Sequence, residues 1–268
     1  MSNERNIRLT VSYDGTDFSG WQRQGGNENR VIANRPIVYR PIANRTVQGD
    51  IEAALAKIHK HPVPLIGSGR TDAGVHAAGQ AANFYTDIER MEAFRFIPAL
   101  NSLLKRDIRI LDARETIADF HARFDAKIRV YRYFFIAGRS AAAHELRYAL
   151  QLWRVPSLDT LNAYCRSLLG ERDCSLFARA QEKSLSKTRY ISRCSFFFES
   201  NYLVFEIGAN AFLWKMVRSI AGTLLDLEEK KIPPDTFTAM LNSSGCENAG
   251  ATLPPQGLFL WNIEFYRG

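Results

Sequence analysis

Ile7-Arg8-Leu9-Thr10-Val11-Ser12-Tyr13 alternates apolar and polar side chains, the period of a strand with one face on a core and the other toward solvent. Beyond it, Val47, Ile51, Ala54, Leu55 and Ile58 recur at helical spacing behind Thr46, whose hydroxyl suits an N-cap. Val63–Ile66 and Ala81–Tyr85 read as short strands on either side of a glycine-rich turn. A helical pattern through Glu89 to Leu104 then leads to a strand over Ile108–Ala113. His59 and His61 sit where the first helix meets Pro62, and read as an ordinary helix end rather than a metal pair.

The second half repeats this logic. Ile128–Ile136 is rich in β-branched and aromatic residues and predicts a long strand. Leu158, Leu161, Tyr164, Leu168 and Leu169 form a helical stripe stopped by Gly170. Phe196–Phe198 and Tyr202–Ile207 bracket Glu199-Ser200-Asn201 as a hairpin, Phe212–Leu225 reads as helix, and Leu258–Phe265 as a closing strand. This order predicts an α+β fold: two α+β domains with mainly antiparallel sheets, residues 1–118 and 119–268, meeting at a central cleft.

The chain has 268 residues, 46% hydrophobic and 24% charged, the composition of a folded globular protein. No apolar run approaches the roughly 20 residues that span a bilayer. The opening MSNERNIRLT lacks the apolar core of a secretory signal, so a cytoplasmic location is expected. The four cysteines, Cys165, Cys174, Cys194 and Cys246, contain no CxxC pair and read as reduced, packed thiols; no metal is expected. With 35 Lys and Arg against 28 Asp and Glu, the net charge of +7 favours polyanionic partners, because each neutralised phosphate releases counterions.

Residues 25–45 break the pattern. Arg30, Arg35, Arg40 and Arg45 fall at a strict interval of five, which fits neither helix nor strand. Pro36 and Pro41 argue for an irregular loop. Four arginines against Glu28 alone supply +3 of the net +7, and an exposed arm that follows a nucleic-acid backbone is the expectation.

The densest chemical signal is Gly67-Ser68-Gly69-Arg70-Thr71-Asp72-Ala73-Gly74-Val75-His76. Its glycines imply tight turning and close backbone approach. A carboxylate immobilised there beside an arginine, which favours its charged form, can act as a covalent nucleophile. From spacing alone, a turn aspartate bonding its own backbone is the competing reading.

The string Gly69 to Ala77, preceded by Tyr13-Asp14-Gly15-Thr16 and Gly20-Trp21-Gln22-Arg23-Gln24, closely resembles the TruA family of tRNA pseudouridine synthases. Further matches follow in family order: Phe120-His121-Ala122-Arg123-Phe124, Tyr131-Arg132-Tyr133, Asn210-Ala211-Phe212, Met216-Val217-Arg218 and Gly257-Leu258. The resemblance implies ferredoxin-like or RRM-like repeats and a homodimer that contacts the anticodon stem-loop and elbow of tRNA. The implied activity isomerises uridine at positions 38, 39 and 40 without any cofactor. It further implies that Asp72 attacks the nucleoside, at the sugar C1′ or the base C6, and that the uracil detaches, rotates and rejoins through carbon.

By the same resemblance, Arg70 helps extrude the base from its stack, a few kcal/mol of unstacking; a simple ion pair with Asp72 is its alternative role. Tyr131 lies over the uracil ring, Arg218 pairs with the catalytic carboxylate, and Leu258 covers the opposite face of the ring. Arg123 and Lys215 join the four loop arginines as candidate tRNA contacts. Three departures from the family pattern stand out: Lys215 after Trp214, the long 25–45 insertion, and Ser175-Leu176-Phe177. Two rivals remain. A non-catalytic RNA-binding protein needs no fixed carboxylate. A glycosidase or base-exchange enzyme generally pairs two carboxylates, and the basic balance is wrong for a neutral sugar substrate.

Overall fold

The computed structural model describes residues 4–22, 45–178, 182, 184–242 and 249–266. The chain divides into two compact units, Met1–Ala126 with Leu260–Gly268, and Lys127–Phe259. A cut at one point, such as 118/119, assigns the last strand to the second unit; its contacts place residues from Leu260 onward in the first.

In the first unit, β1 (Arg5–Tyr13) pairs antiparallel with β3 (His76–Thr86) on one side and β4 (Ile108–Thr116) on the other. The two-residue β2 (Ile66–Gly67) and the last strand, β10 (Leu258–Phe265), lie beside β3. Ile7, Leu9 and Val11 are fully buried, as their alternation predicts, and each contributes about 1.5–3 kcal/mol of apolar burial. Thr46 caps α1 (Val47–His59), its hydroxyl accepting from Gly49 N at 3.2 Å. At the other end His59 is buried, with Nδ1 2.9 Å from Leu55 O and Nε2 2.8 Å from Thr86 Oγ1. Its ring stacks on Phe96, which opens α2 (Phe96–Leu103), so β3, α1 and α2 meet there.

Three expectations for this unit are corrected. The helix over residues 89–104 is only α2, preceded by a 3-10 turn at Ala93–Arg95. An earlier start would put Pro98 in the helix interior, without an amide donor and against the carbonyl four residues back; the observed start puts it in the first turn. The strand over residues 63–66 shrinks to β2 because Pro62 and Pro64 remove donors. The strand over residues 81–85 grows backward to His76 through small residues that carry no apolar period.

In the second unit, β5 (Ala126–Ala137), β9 (Tyr202–Ala209), β8 (Thr188–Glu199) and β7 (Gly170–Asp173) follow one another in that order, all antiparallel. A short β6 (Leu150–Leu152) runs parallel to β5. The hairpin turns on Ser200 and Asn201, between the pair Glu199↔Tyr202. Phe135, Phe196 and Phe205 stack in the core beneath α3 (Leu158–Leu168). Asn162 of α3 locks onto β8, donating to Phe196 O at 2.9 Å and accepting from Phe196 N at 2.8 Å.

The last long helix, α4 (Met216–Glu229), begins four residues later than the periodicity of Phe212–Leu225 suggests. Lys215 stands at φ 61°, a left-handed conformation no helix can run through. A further helix, α5 (Pro234–Asn242), has no counterpart in the sequence reading. Among the described residues, the fold is a mixed α+β one with a largely antiparallel sheet. None of its helices is long and apolar enough to cross a membrane.

Candidate active site

Asp72 lies in the loop between β2 and β3 of the first unit, half-buried between the buried Thr71 and Val75. Both flanks of this loop are held by residues 13–21. On one side, Thr71 O accepts from Trp21 N at 3.1 Å, and Thr71 Oγ1 lies 2.8 Å from the Tyr13 hydroxyl in a buried bond. On the other, His76 is fully buried; its Nδ1 accepts from Gly15 N at 3.0 Å and lies 3.2 Å from Asp14 Oδ1. Asp14 in turn accepts from Thr16 N and Oγ1.

The approach is close enough to require glycine. A Cβ on Gly15 would fall 2.0 Å from Val75 O, and one on Gly20, which also sits at φ +108°, would fall 2.6 Å from Thr71 O. The register supplies the geometry: Val11 pairs with Gln80 but Tyr13 with Ala77, so Ala78 and Gly79 together face Ser12. This bulge in β3 turns the entrance of the strand and brings the loop over Tyr13 and Asp14. Inside the loop, Ser68 Oγ donates to Gln80 Oε1 and Gln80 Nε2 donates to Gly69 O, both at 2.8 Å. Asp72 O closes the turn by accepting from Val75 N at 3.2 Å.

Arg70 is exposed, and among the described residues no carboxylate lies within ion-pair distance of it. The simple pair with Asp72 is therefore not formed. Arg123, also in the first unit, is exposed near the Phe124 ring at 5.9 Å. Its segment is fastened by buried amides, with Asn83 accepting from Ala122 N at 2.9 Å and donating to Asn6, which reaches Phe120 O at 2.8 Å.

Tyr131, Arg218 and Leu258 belong to the second unit. Tyr131 on β5 is 8% exposed and meets the Phe212 ring edge-on at 5.2 Å. Tyr133, the other tyrosine of the motif, has no exposed surface and spends its hydroxyl on Pro254 O at 2.6 Å. Burial pushes its phenol well above the ordinary tyrosine value, with the charge of Arg218 opposing. A fully sealed ring cannot stack on a base. Arg218, in the first turn of α4, donates from Nε to Leu253 O at 2.6 Å, while its own carbonyl accepts from Leu253 N at 3.2 Å. Leu258 is 4% exposed at the start of β10. Lys215 holds its Nζ 4.0 Å from the centre of the exposed Trp214 ring.

Of the arginine loop, Arg30, Arg35 and Arg40 lie outside the described residues. Arg45 is described, and its expected place on an exposed arm is corrected. Its guanidinium donates to Asp50 at 2.8 Å and Asp107 at 3.0 Å and covers the Phe18 ring at 4.2 Å, leaving the side chain 9% exposed. Two carboxylates and an aromatic face outcompete a solvent-facing role. Arg45→Met should lower stability by about 2–3 kcal/mol, read from the urea midpoint. The salt dependence of tRNA binding should not change.

The supporting residues Tyr13, Asp14, Ser68, Gln80, Asn6 and Asn83 take their roles from the structure alone; the sequence pattern assigns them none. A signal exists nonetheless, since Gln80 and Asn83 are polar residues among the alanines of β3 and both are fully buried. Such groups persist in a core only when hydrogen-bonded.

A sequence model described as tRNA pseudouridine synthase matches residues 9–125 and 164–266. Among curated relatives, the tRNA pseudouridine synthase A of Treponema denticola is 51% identical over 98% of this chain and 94% of its own. That of Bacillus pumilus is 40% identical over 97% and 98%, and that of Caldicellulosiruptor saccharolyticus 38% over 97% and 100%. Both blocks of the family match contain residues of the candidate site, Asp72 in the first and Arg218 and Leu258 in the second. The chain belongs to the tRNA pseudouridine synthase family.

Proposed function

We propose that this protein is an isomerase that converts uridine to pseudouridine in the anticodon stem-loop of tRNA, at positions 38, 39 and 40, with Asp72 as nucleophile. The observation that carries the reading is the clamp on both sides of Asp72. A carboxylate held by its neighbours' backbone needs little reorganisation to reach a reacting atom. Asp72 attacks the nucleoside, at C1′ or at C6, the N1–C1′ bond of the uridine breaks and the uracil turns; a C5–C1′ bond then forms as the bond to Asp72 is released, the C5 proton leaves to solvent and N1 takes up a proton. No cofactor takes part in this sequence.

On this reading both units serve one uridine within a cleft. Asp72 and Arg70 come from the first, Arg70 occupying the space of the extruded base. Tyr131, Arg218 and Leu258 come from the second, with Tyr131 and Leu258 on the two faces of the uracil. Stacking on Tyr131 is worth about 1–3 kcal/mol. A homodimer that engages the stem-loop and elbow of tRNA completes the proposal, and Arg123 and Lys215 are its candidate phosphate contacts.

The deciding experiment uses tRNA labelled with tritium at C5 of uridine. Catalysis releases the label to water. Pseudouridine at the three named positions should be missing from the tRNA of a strain lacking the gene and should return when the gene is restored. A non-catalytic binder would retain tRNA and release no label. For the loop, changing Arg30, Arg35 and Arg40 together to Gln should weaken tRNA binding while single-turnover chemistry at saturation holds. Removing each arginine–phosphate interaction should reduce the log–log salt slope by roughly 0.7–0.9. An unchanged affinity and slope would remove these arginines from the interface.

A further inference from the structure

Thr71 is bound twice over. Its carbonyl is fixed by Trp21 N at 3.1 Å and its hydroxyl by Tyr13 at 2.8 Å, and all three residues are buried. Tyr13 is itself held, paired with Ala77 in β3 and Ile108 in β4, with its ring 5.9 Å from that of Trp21. It stands at the end of β1, opposite the β3 bulge, so its hydroxyl reaches the loop from the rigid sheet rather than from another loop. Thr71 is covalently joined to Asp72, and a tilt of the Thr71 peptide is passed directly to the Asp72 Cα.

The carbonyl bond alone leaves rotation about the Thr71 backbone possible; the hydroxyl bond removes it. A second fixed point one residue before a nucleophile is worth most in the reaction step, where small misplacements are costly. It is worth little in holding tRNA, because neither hydroxyl is exposed. The buried partners also make the pair interdependent: deleting one hydroxyl leaves the other without its mate.

We infer that the Tyr13–Thr71 hydroxyl pair is a positioning element for the reaction, setting the reactive orientation of Asp72 from the end of β1. The inference rests on Asp72 being the nucleophile. Tyr13→Phe and Thr71→Val should each lower the single-turnover rate of tritium release about tenfold at saturating tRNA, with the Kd for tRNA held within about twofold. Thr71→Ser, which keeps the hydroxyl, should stay within about twofold of the wild-type rate. If the effect runs through the bond between the two hydroxyls, the double variant should be no slower than the slower single one. Tyr85→Phe, which removes a hydroxyl donated to Ala118 O at 3.2 Å away from the loop, should react at the wild-type rate.

A merely structural bond would lower the melting temperature without changing the rate of the enzyme still folded. A wild-type rate in Tyr13→Phe, a loss confined to Kd, or a Thr71→Ser variant as slow as Thr71→Val would overturn the inference. If Tyr13→Phe melts below the assay temperature, the contrast between Thr71→Ser and Thr71→Val decides alone. Asp72→Asn separates the two levels. Turnover by that variant defeats the nucleophile reading itself, whereas an inert Asp72→Asn beside a fully active Tyr13→Phe defeats only the positioning role.

Discussion

Asp72→Asn is expected to abolish multiple-turnover pseudouridine formation, a loss of about 10⁴-fold or more, while tRNA binding changes little. The two side chains have nearly the same volume and shape. The clamp acts through Thr71, Val75 and His76. The loop should therefore keep its path, and the variant should melt close to wild type. What disappears is a negatively charged oxygen able to form a bond to the nucleoside, and an amide does not replace it. The measurement is tritium release with substrate in excess, together with filter binding of tRNA. Deamidation of the new Asn and carry-over of wild-type enzyme are checked by mass spectrometry and by a single-turnover burst. Sustained turnover after those controls would sink the assignment.

Arg218→Ala is the second large effect. The proposed role of Arg218 is to keep the catalytic carboxylate ionised and in place, and to stabilise its charge again when it departs as the leaving group; loss of such a group costs about 10²–10³-fold in rate. The effect on tRNA affinity should be smaller. Part of the cost is local: Nε no longer meets Leu253 O, although the backbone bond from Leu253 N to the Arg218 carbonyl survives and keeps residues 249–255 near α4. Arg218→Lys tests the geometry, because an ammonium keeps the charge but cannot reproduce the guanidinium fork. It should remain well below wild type. A loss expressed only in binding would make Arg218 a phosphate contact.

The legible parts of this fold are those where one local rule decides. The alternation of β1, the Thr46 cap and the hairpin around Glu199-Ser200-Asn201 are set by period and hydrogen-bonding chemistry, and the structure bears them out, with Glu199 joining the ladder so that the turn itself is Ser200-Asn201. Misread elements are those in which a single residue overrides the pattern around it. Pro98 fixes the start of α2, the left-handed Lys215 fixes that of α4, and the small residues of β3 leave no period to detect. The return of residues from Leu260 onward to the first unit is a long-range pairing that no local period encodes.

The site is legible in a similar way. The loop around Asp72 stands out because glycines, an arginine and an aspartate are dense in ten residues. The residues that hold it lie in two other stretches, and their roles exist only in three dimensions. Arg45 shows the opposite error. A regular spacing of arginines groups it with Arg30, Arg35 and Arg40, yet Asp50 and Asp107 claim it for the framework.

The placement of β10 has a consequence for how the protein is made. The sheet of the first unit gains its strand beside β3 only after residues 127–259 have been synthesised, about 7–27 s later at ordinary elongation rates. During that interval much of one edge of β3 offers unpaired amides and carbonyls, apart from the short cover given by β2. The nascent first half is thus a template for wrong strand pairing until the last strand arrives. Slowing translation in the second half, or deleting Leu260–Phe265, would lengthen that exposure. Poor yield of soluble protein, rather than poor chemistry, would be the outcome.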